Sequence, residues 1–122
     1  MKKNLILAMV LLLAVAVLFT GCGGKKADAE VETFKVGMEA GYPPFNWTQT
    51  GDANGAVKID GSPEFAGGYD VEIAKKIAEG LGKELVIVKT EWDGLVPALV
   101  SGKIDAIIAG MSPTAERKET ID

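Results

Sequence analysis

Among the side chains of this sequence that are equipped for chemistry, Arg117 comes first, set in the pattern Ser112-x-Thr114-x-x-Arg117. A guanidinium is planar, permanently charged and carries a fork of donors that can grip a carboxylate through two parallel hydrogen bonds. The Ser112 hydroxyl can add to the same anion, and Gly110, without a Cβ, lets a ligand approach its backbone closely. Trp92 and Tyr42 offer flat faces that exclude water and attract cationic groups, and Glu39 offers a carboxylate suited to a cationic or amide end. Each has a plainer reading: a solvated helix arginine, aromatic residues in a core, a loop glutamate in water. The chain has no histidine and a single cysteine. That removes disulfides, Cys/His metal sites and imidazole acid–base chemistry from this stretch, and the carboxylates show no sign of catalytic pairing. No catalytic residue, cofactor or metal is expected. The net charge is −4, with no Lys/Arg patch, which argues against nucleic acid as a partner.

The chemically unusual residues fall between segments with regular patterns. Phe34 to Met38 alternates as a strand does and runs into Gly41-Tyr42-Pro43-Pro44, which no helix or central strand accommodates. From Asn46 to Gly68 the chain is rich in Gly, Asp, Asn, Ser and Pro, and only Ala56 to Ile59 reads as a short strand, so a hairpin or excursion with an irregular tip is predicted. Asp70 is assigned as the N-cap of a helix in which Val71, Ala74, Ile77, Ala78 and Leu81 recur at helical spacing until Gly82. Lys75 and Lys76 are assigned to its exposed face. Glu84 to Lys89 is a nearly continuous apolar run, predicted as a strand covered on both faces. A second helix is predicted from near Asp93, as its cap, to Gly102, burying Leu95, Val96, Leu99 and Val100, with Pro97 tolerated near its first turn. Asp105 to Ala109 reads as a third buried strand, and Thr114 as the cap of a last helix. Phe45 and Trp47 are read as packing residues. Strand, helix, strand, helix, strand implies an α/β domain built on a parallel sheet, whose ligands gather at the carboxyl ends of the strands. Glu39 to Phe45, Thr90 to Asp93 and Gly110 to Arg117 leave those ends.

Ahead of this lies Met1-Lys2-Lys3-Asn4, an uninterrupted apolar run from Leu5 to Phe19, and Thr20-Gly21-Cys22. The run is short of the roughly 20 residues that span a bilayer but suits the apolar part of an export signal. Small residues directly before Cys22 resemble the lipobox of bacterial lipoproteins, in which the leader is cut before the cysteine and the thiol receives a diacylglyceryl group. Residues 1–21 are therefore read as a lipoprotein signal peptide, 22–33 as a tether and 34–122 as a partial binding domain.

Four blocks, in order, carry a further resemblance: Val36-Gly37-Met38-Glu39-Ala40-Gly41-Tyr42-Pro43-Pro44-Phe45, Gly68-Tyr69-Asp70-Val71-Glu72-Ile73-Ala74, Trp92-Asp93-Gly94-Leu95-Val96-Pro97-Ala98-Leu99, and Gly102 to Arg117. Together they resemble the amino-acid-binding proteins of ABC importers, the bacterial extracellular solute-binding proteins of family 3. The resemblance implies the parallel-sheet lobe of a two-lobed, periplasmic-binding-protein-like type II fold, with the second lobe lying outside this sequence. It implies a monomeric, lipid-anchored protein outside the cytoplasm that hands a polar amino acid, with a basic or amide side chain favoured, to permease subunits in the membrane. It assigns the ligand's α-carboxylate to Arg117 with Ser112 and Gly110, one aromatic wall to Trp92, and side-chain contact to Glu39 and Tyr42. A dehydratase-like enzyme on the same fold and the sensor domain of a receptor are the competing readings. A lone lobe with an open sheet edge is expected to be poorly stable.

Overall fold

The computed structural model describes residues 30–122. The leader, Cys22 and most of the tether lie outside the described residues. Strand β1 (Thr33–Met38) is the centre of a parallel three-stranded sheet, flanked by β6 (Glu84–Lys89) along its whole length and by β7 (Ala106–Ile107) at Val36 and Gly37. The expected parallel order is present. Alternation along β1 puts Phe34, Val36 and Met38 into the core with Ile87 of β6.

Between β1 and the first helix the chain builds a second, antiparallel sheet, ordered β2 (Gly41–Tyr42), β3 (Asn46–Gln49), β5 (Phe65–Gly67), β4 (Val57–Lys58). An excursion with an irregular tip is present, a short 3-10 turn at Ala53–Gly55, but of its strands only β4 falls in the predicted Ala56 to Ile59; β2, β3 and β5 lie in stretches read as loop, their pairing supplied by one another across the chain. Ile59 forms a bridge to Ile87 and the Asp60 N–H donates to the Ile87 carbonyl at 2.8 Å, so the hairpin is sewn to the edge of the parallel sheet.

Helix α1 (Tyr69–Leu81) buries Val71, Ala74 and Ala78 and ends at Gly82 in the left-handed conformation, as its spacing predicts. Two details differ. Ile77 and Leu81, placed on the buried stripe, are exposed. The cap is Gly68, not Asp70. Gly68 has φ 121, and a Cβ there would fall 2.3 Å from the Phe45 carbonyl oxygen, so only glycine fits the joint between β5 and α1. The helix's first N–H groups are satisfied by the chain rather than by a side chain: Tyr69 donates to the Pro44 carbonyl at 3.3 Å and Asp70 to that of Phe45 at 2.8 Å. Asp70 is instead buried, and its carboxylate accepts from Asn46 Nδ2 at 2.7 Å. Lys75 is held rather than free in water, donating to Glu72 at 2.7 Å and to the Gly55 carbonyl at 3.0 Å.

Helix α2 (Trp92–Val100) is preceded by Glu91 as its cap, and Asp93 sits in the first turn without a capping bond, near the positive end of the helix dipole. Pro97 lies well inside α2, beyond the first turn assigned to it. Leu95 is buried and Val96 and Leu99 half-buried, but Val100 faces water. Strand β6 is likewise buried only at Ile87, because among the described residues it is an edge strand. The third strand shrinks to β7, half-buried at both residues. Helix α3 (Ala115–Lys118) is one short turn capped by Thr114, whose hydroxyl accepts from the Arg117 N–H at 3.3 Å.

Candidate functional site

The three loops that leave the carboxyl ends of β1, β6 and β7 converge, as parallel topology requires. Glu39 follows β1, Trp92 opens α2 just after β6, and Gly110 and Ser112 follow β7 on the way to Arg117 in α3. These side chains, with Tyr42 of β2, line one open recess of about 320 Å³. All six residues singled out from the sequence as candidate contacts are thus brought together by the fold.

Arg117 is half-buried and held from two sides. Its Nη1 donates to the Ser112 carbonyl at 2.8 Å, and its Cζ lies 5.3 Å from the Trp92 ring centroid. The ring attracts the cation electrostatically and shields one face of it from water. The capping bond from Thr114 fixes the backbone that carries it. Among the described residues no carboxylate forms an ion pair with Arg117. Its other guanidinium nitrogen donors make no hydrogen bond among the described residues. Arg117 also borders two neighbouring recesses, one with Asp93, Val96 and Thr120, the other with Leu99, Ile107 and Met111.

The opposite contribution to the wall is aromatic. Tyr42 and Phe45 stack with ring centroids 5.2 Å apart and planes inclined by 22°. Gly110, with φ 62, lies beneath them, where a Cβ would come within 3.3 Å of the Tyr42 ring and 3.7 Å of Phe45. Phe45, read from the sequence as packing, stacks on Tyr42 behind the recess, partly exposed but not among its lining residues. The signal for it was the Tyr-Pro-Pro-Phe spacing, which puts two aromatic residues at the ends of a tight turn, where the Phe45 N–H donates to the Tyr42 carbonyl at 2.9 Å. Trp47 packs away from the recess, with its Nε1 donating to Gln49 at 3.0 Å.

Charge in the recess is therefore divided: one guanidinium, one carboxylate from Glu39, and aromatic faces between them. Such a set can hold a small zwitterion by its anionic end and offer a carboxylate to a cationic end. Among the described residues no cluster of His, Cys, Asp or Glu is suited to a metal ion, and no helix is long and apolar enough to cross a membrane.

Residues 34–122 match the family described as bacterial extracellular solute-binding proteins, family 3. The chain belongs to this family. Among curated relatives of this chain is a "Probable histidine-binding protein" of Campylobacter jejuni, 40% identical over 90 residues, which are 74% of this chain and 30% of that protein. The "Arginine-binding extracellular protein ArtP" of Bacillus subtilis is 32% identical over 124 residues, covering 100% of this chain and 43% of its own. The chain thus spans less than half the length of these relatives. Among solved structures, the arginine-bound form of domain 1 from TmArgBP superposes with a TM-score of 0.56 at 42% identity, over 71% of this chain and 60% of that one. The fold is the α/β lobe of the periplasmic-binding-protein-like type II architecture.

Proposed function

We propose that this chain is the ligand-capturing front lobe of an extracytoplasmic solute-binding component of an ABC importer, and that its ligand is a polar amino acid with a basic side chain favoured. One observation carries the reading: Glu39, Tyr42, Trp92, Gly110, Ser112 and Arg117 line a single recess at the carboxyl ends of the parallel strands. Arg117 and the Ser112 hydroxyl take the α-carboxylate, Trp92 and Tyr42 enclose the carbon skeleton, and Glu39 meets the cationic end. The family match and the histidine and arginine named for the relatives support a basic ligand. The chain performs no chemistry on its ligand. It acts as a monomer, delivers the amino acid to permease subunits, and is held to the membrane by a lipid on Cys22.

The test is isothermal titration calorimetry of the full chain in detergent against arginine, histidine, lysine, glutamine and glutamate. Saturable heat with the basic amino acids, lost in Arg117→Ala and weakened in Glu39→Gln, is the expected result. Heat that is equal for glutamate and arginine, or that survives Arg117→Ala, removes the reading.

A further inference from the structure

Two non-glycine residues among those described have a left-handed backbone, Asn54 with φ 56 and Ala40 with φ 54. Asn54 is exposed at a turn and of a type that tolerates this region. Ala40 is 3% exposed and has no polar side chain to compensate, so the surrounding structure must impose its conformation. It stands between Glu39 and the Gly41–Tyr42 strand, the two stretches that feed the recess. In an uninterrupted strand, residues 39 and 42 would stand on opposite faces. The left-handed step at Ala40 breaks the alternation and lets both line the same wall.

What holds Ala40 lies outside the recess. The Thr48 hydroxyl, on β3, donates to the Ala40 carbonyl at 2.8 Å, and Lys89 Nζ, at the end of β6, donates to the same hydroxyl oxygen at 3.1 Å. An ammonium has only protons to offer, so it occupies a Thr48 lone pair and turns the hydroxyl proton toward Ala40. The β1 end of the turn is pinned by the Thr90 N–H to the Met38 carbonyl at 3.0 Å, and the β2 end by pairing of Gly41 with Trp47 and Tyr42 with Asn46.

We propose that Thr48, backed by Lys89, is a positioning residue that holds Ala40 left-handed and thereby places Glu39 on the recess wall, setting preference for a cationic ligand end. The inference rests on the ligand reading given above. It is tested in the full chain by a cycle of Thr48→Val, Thr48→Ser, Ala40→Gly and the Thr48→Val/Ala40→Gly pair, with affinities for L-arginine and L-glutamine. Glycine takes positive φ without strain, so the hydroxyl should matter less beside it. Thr48→Val is expected to weaken arginine binding about tenfold and glutamine binding less, Thr48→Ser to restore it, and the Ala40→Gly background to shrink the loss to about twofold. An arginine Kd unchanged in Thr48→Val, or an equal loss for both ligands in both backgrounds, overturns it. A ligand-free arm separates this from the ligand reading: the Ala40 amide-to-Hα coupling and Cβ shift by NMR should leave their positive-φ values in Thr48→Val. Unchanged values overturn the positioning role whatever binds, whereas a wild-type chain that binds no amino acid sinks the ligand reading alone.

Discussion

Arg117 illustrates how a charged side chain becomes useful by being only partly satisfied. A guanidinium has five N–H donors, and here one nitrogen is occupied by the Ser112 carbonyl while the Trp92 ring shields a face. The rest is not neutralised among the described residues, so on the proposed reading a carboxylate in the recess would meet a cation whose position is already set. Lysine at this place would keep the charge but lose the planar fork and the flat stacking surface. Hydrogen bonds to charged groups are worth about 1.5–3 kcal/mol, and about 1.4 kcal/mol is a factor of ten in Kd. Arg117→Lys is therefore expected to weaken amino-acid binding by roughly 10- to 100-fold, read by calorimetry, while the melting temperature of the ligand-free chain stays close to wild type because the side chain covers no core.

At the scale of elements, the recess depends on a joint that carries none of its lining. The loop with Tyr42 and Phe45 is fastened to the start of α1 by backbone bonds into the Pro44 and Phe45 carbonyls and, beneath them, by the buried pair of Asn46 and Asp70. Asn46 Oδ1 has no partner among the described residues, so the pair is held by a single bond from its Nδ2. Removing the acceptor in Asp70→Ala leaves a buried amide unpaired, which costs about 1–3 kcal/mol. The expected outcome is a lower urea midpoint with an unchanged slope, together with looser packing of the Tyr42 and Phe45 rings. This pair also marks the boundary of what the sequence discloses. The order of the parallel strands and helices, the stop at Gly82 and the Thr114 cap were legible because each depends on neighbours in the chain, whereas β2, β3 and β5 were not, because their strand character comes from pairing with one another. Asp70 was not, because a carboxylate at a helix start is a cap by local rules and becomes a buried acceptor only when Asn46 arrives from another strand. Phe45 against Tyr42 and the left-handed Ala40 were hidden for the same reason. The candidate site itself was legible residue by residue through the four ordered blocks, although their convergence on one recess needed the sheet. Val100, Ile77 and Leu81 show the opposite error: their apolar spacing predicts burial, yet among the described residues they stay 64%, 40% and 53% exposed.

For the molecule as a whole, the question is what keeps a small binding lobe beside the membrane it would serve. Two anchors are compatible with the residues before Val31: the apolar run from Leu5 to Phe19 retained as a helix, or a diacylglyceryl group on Cys22 after removal of residues 1–21. Both leave the chain in the membrane fraction, so fractionation alone does not separate them. Their physics differs. The run is shorter than the roughly 20 residues that cross a hydrocarbon core, whereas two acyl chains suffice for stable attachment where one is marginal and reversible. Intact mass of the detergent-extracted chain decides the matter, joined with metabolic labelling by palmitate. The expected result is a chain that begins at Cys22, carries the lipid mass and takes up label, with Cys22→Ser unlabelled and still carrying its leader. A wild-type chain that retains Met1 and takes up no label would assign the anchor to the apolar run, and Cys22 would then have no role in attachment.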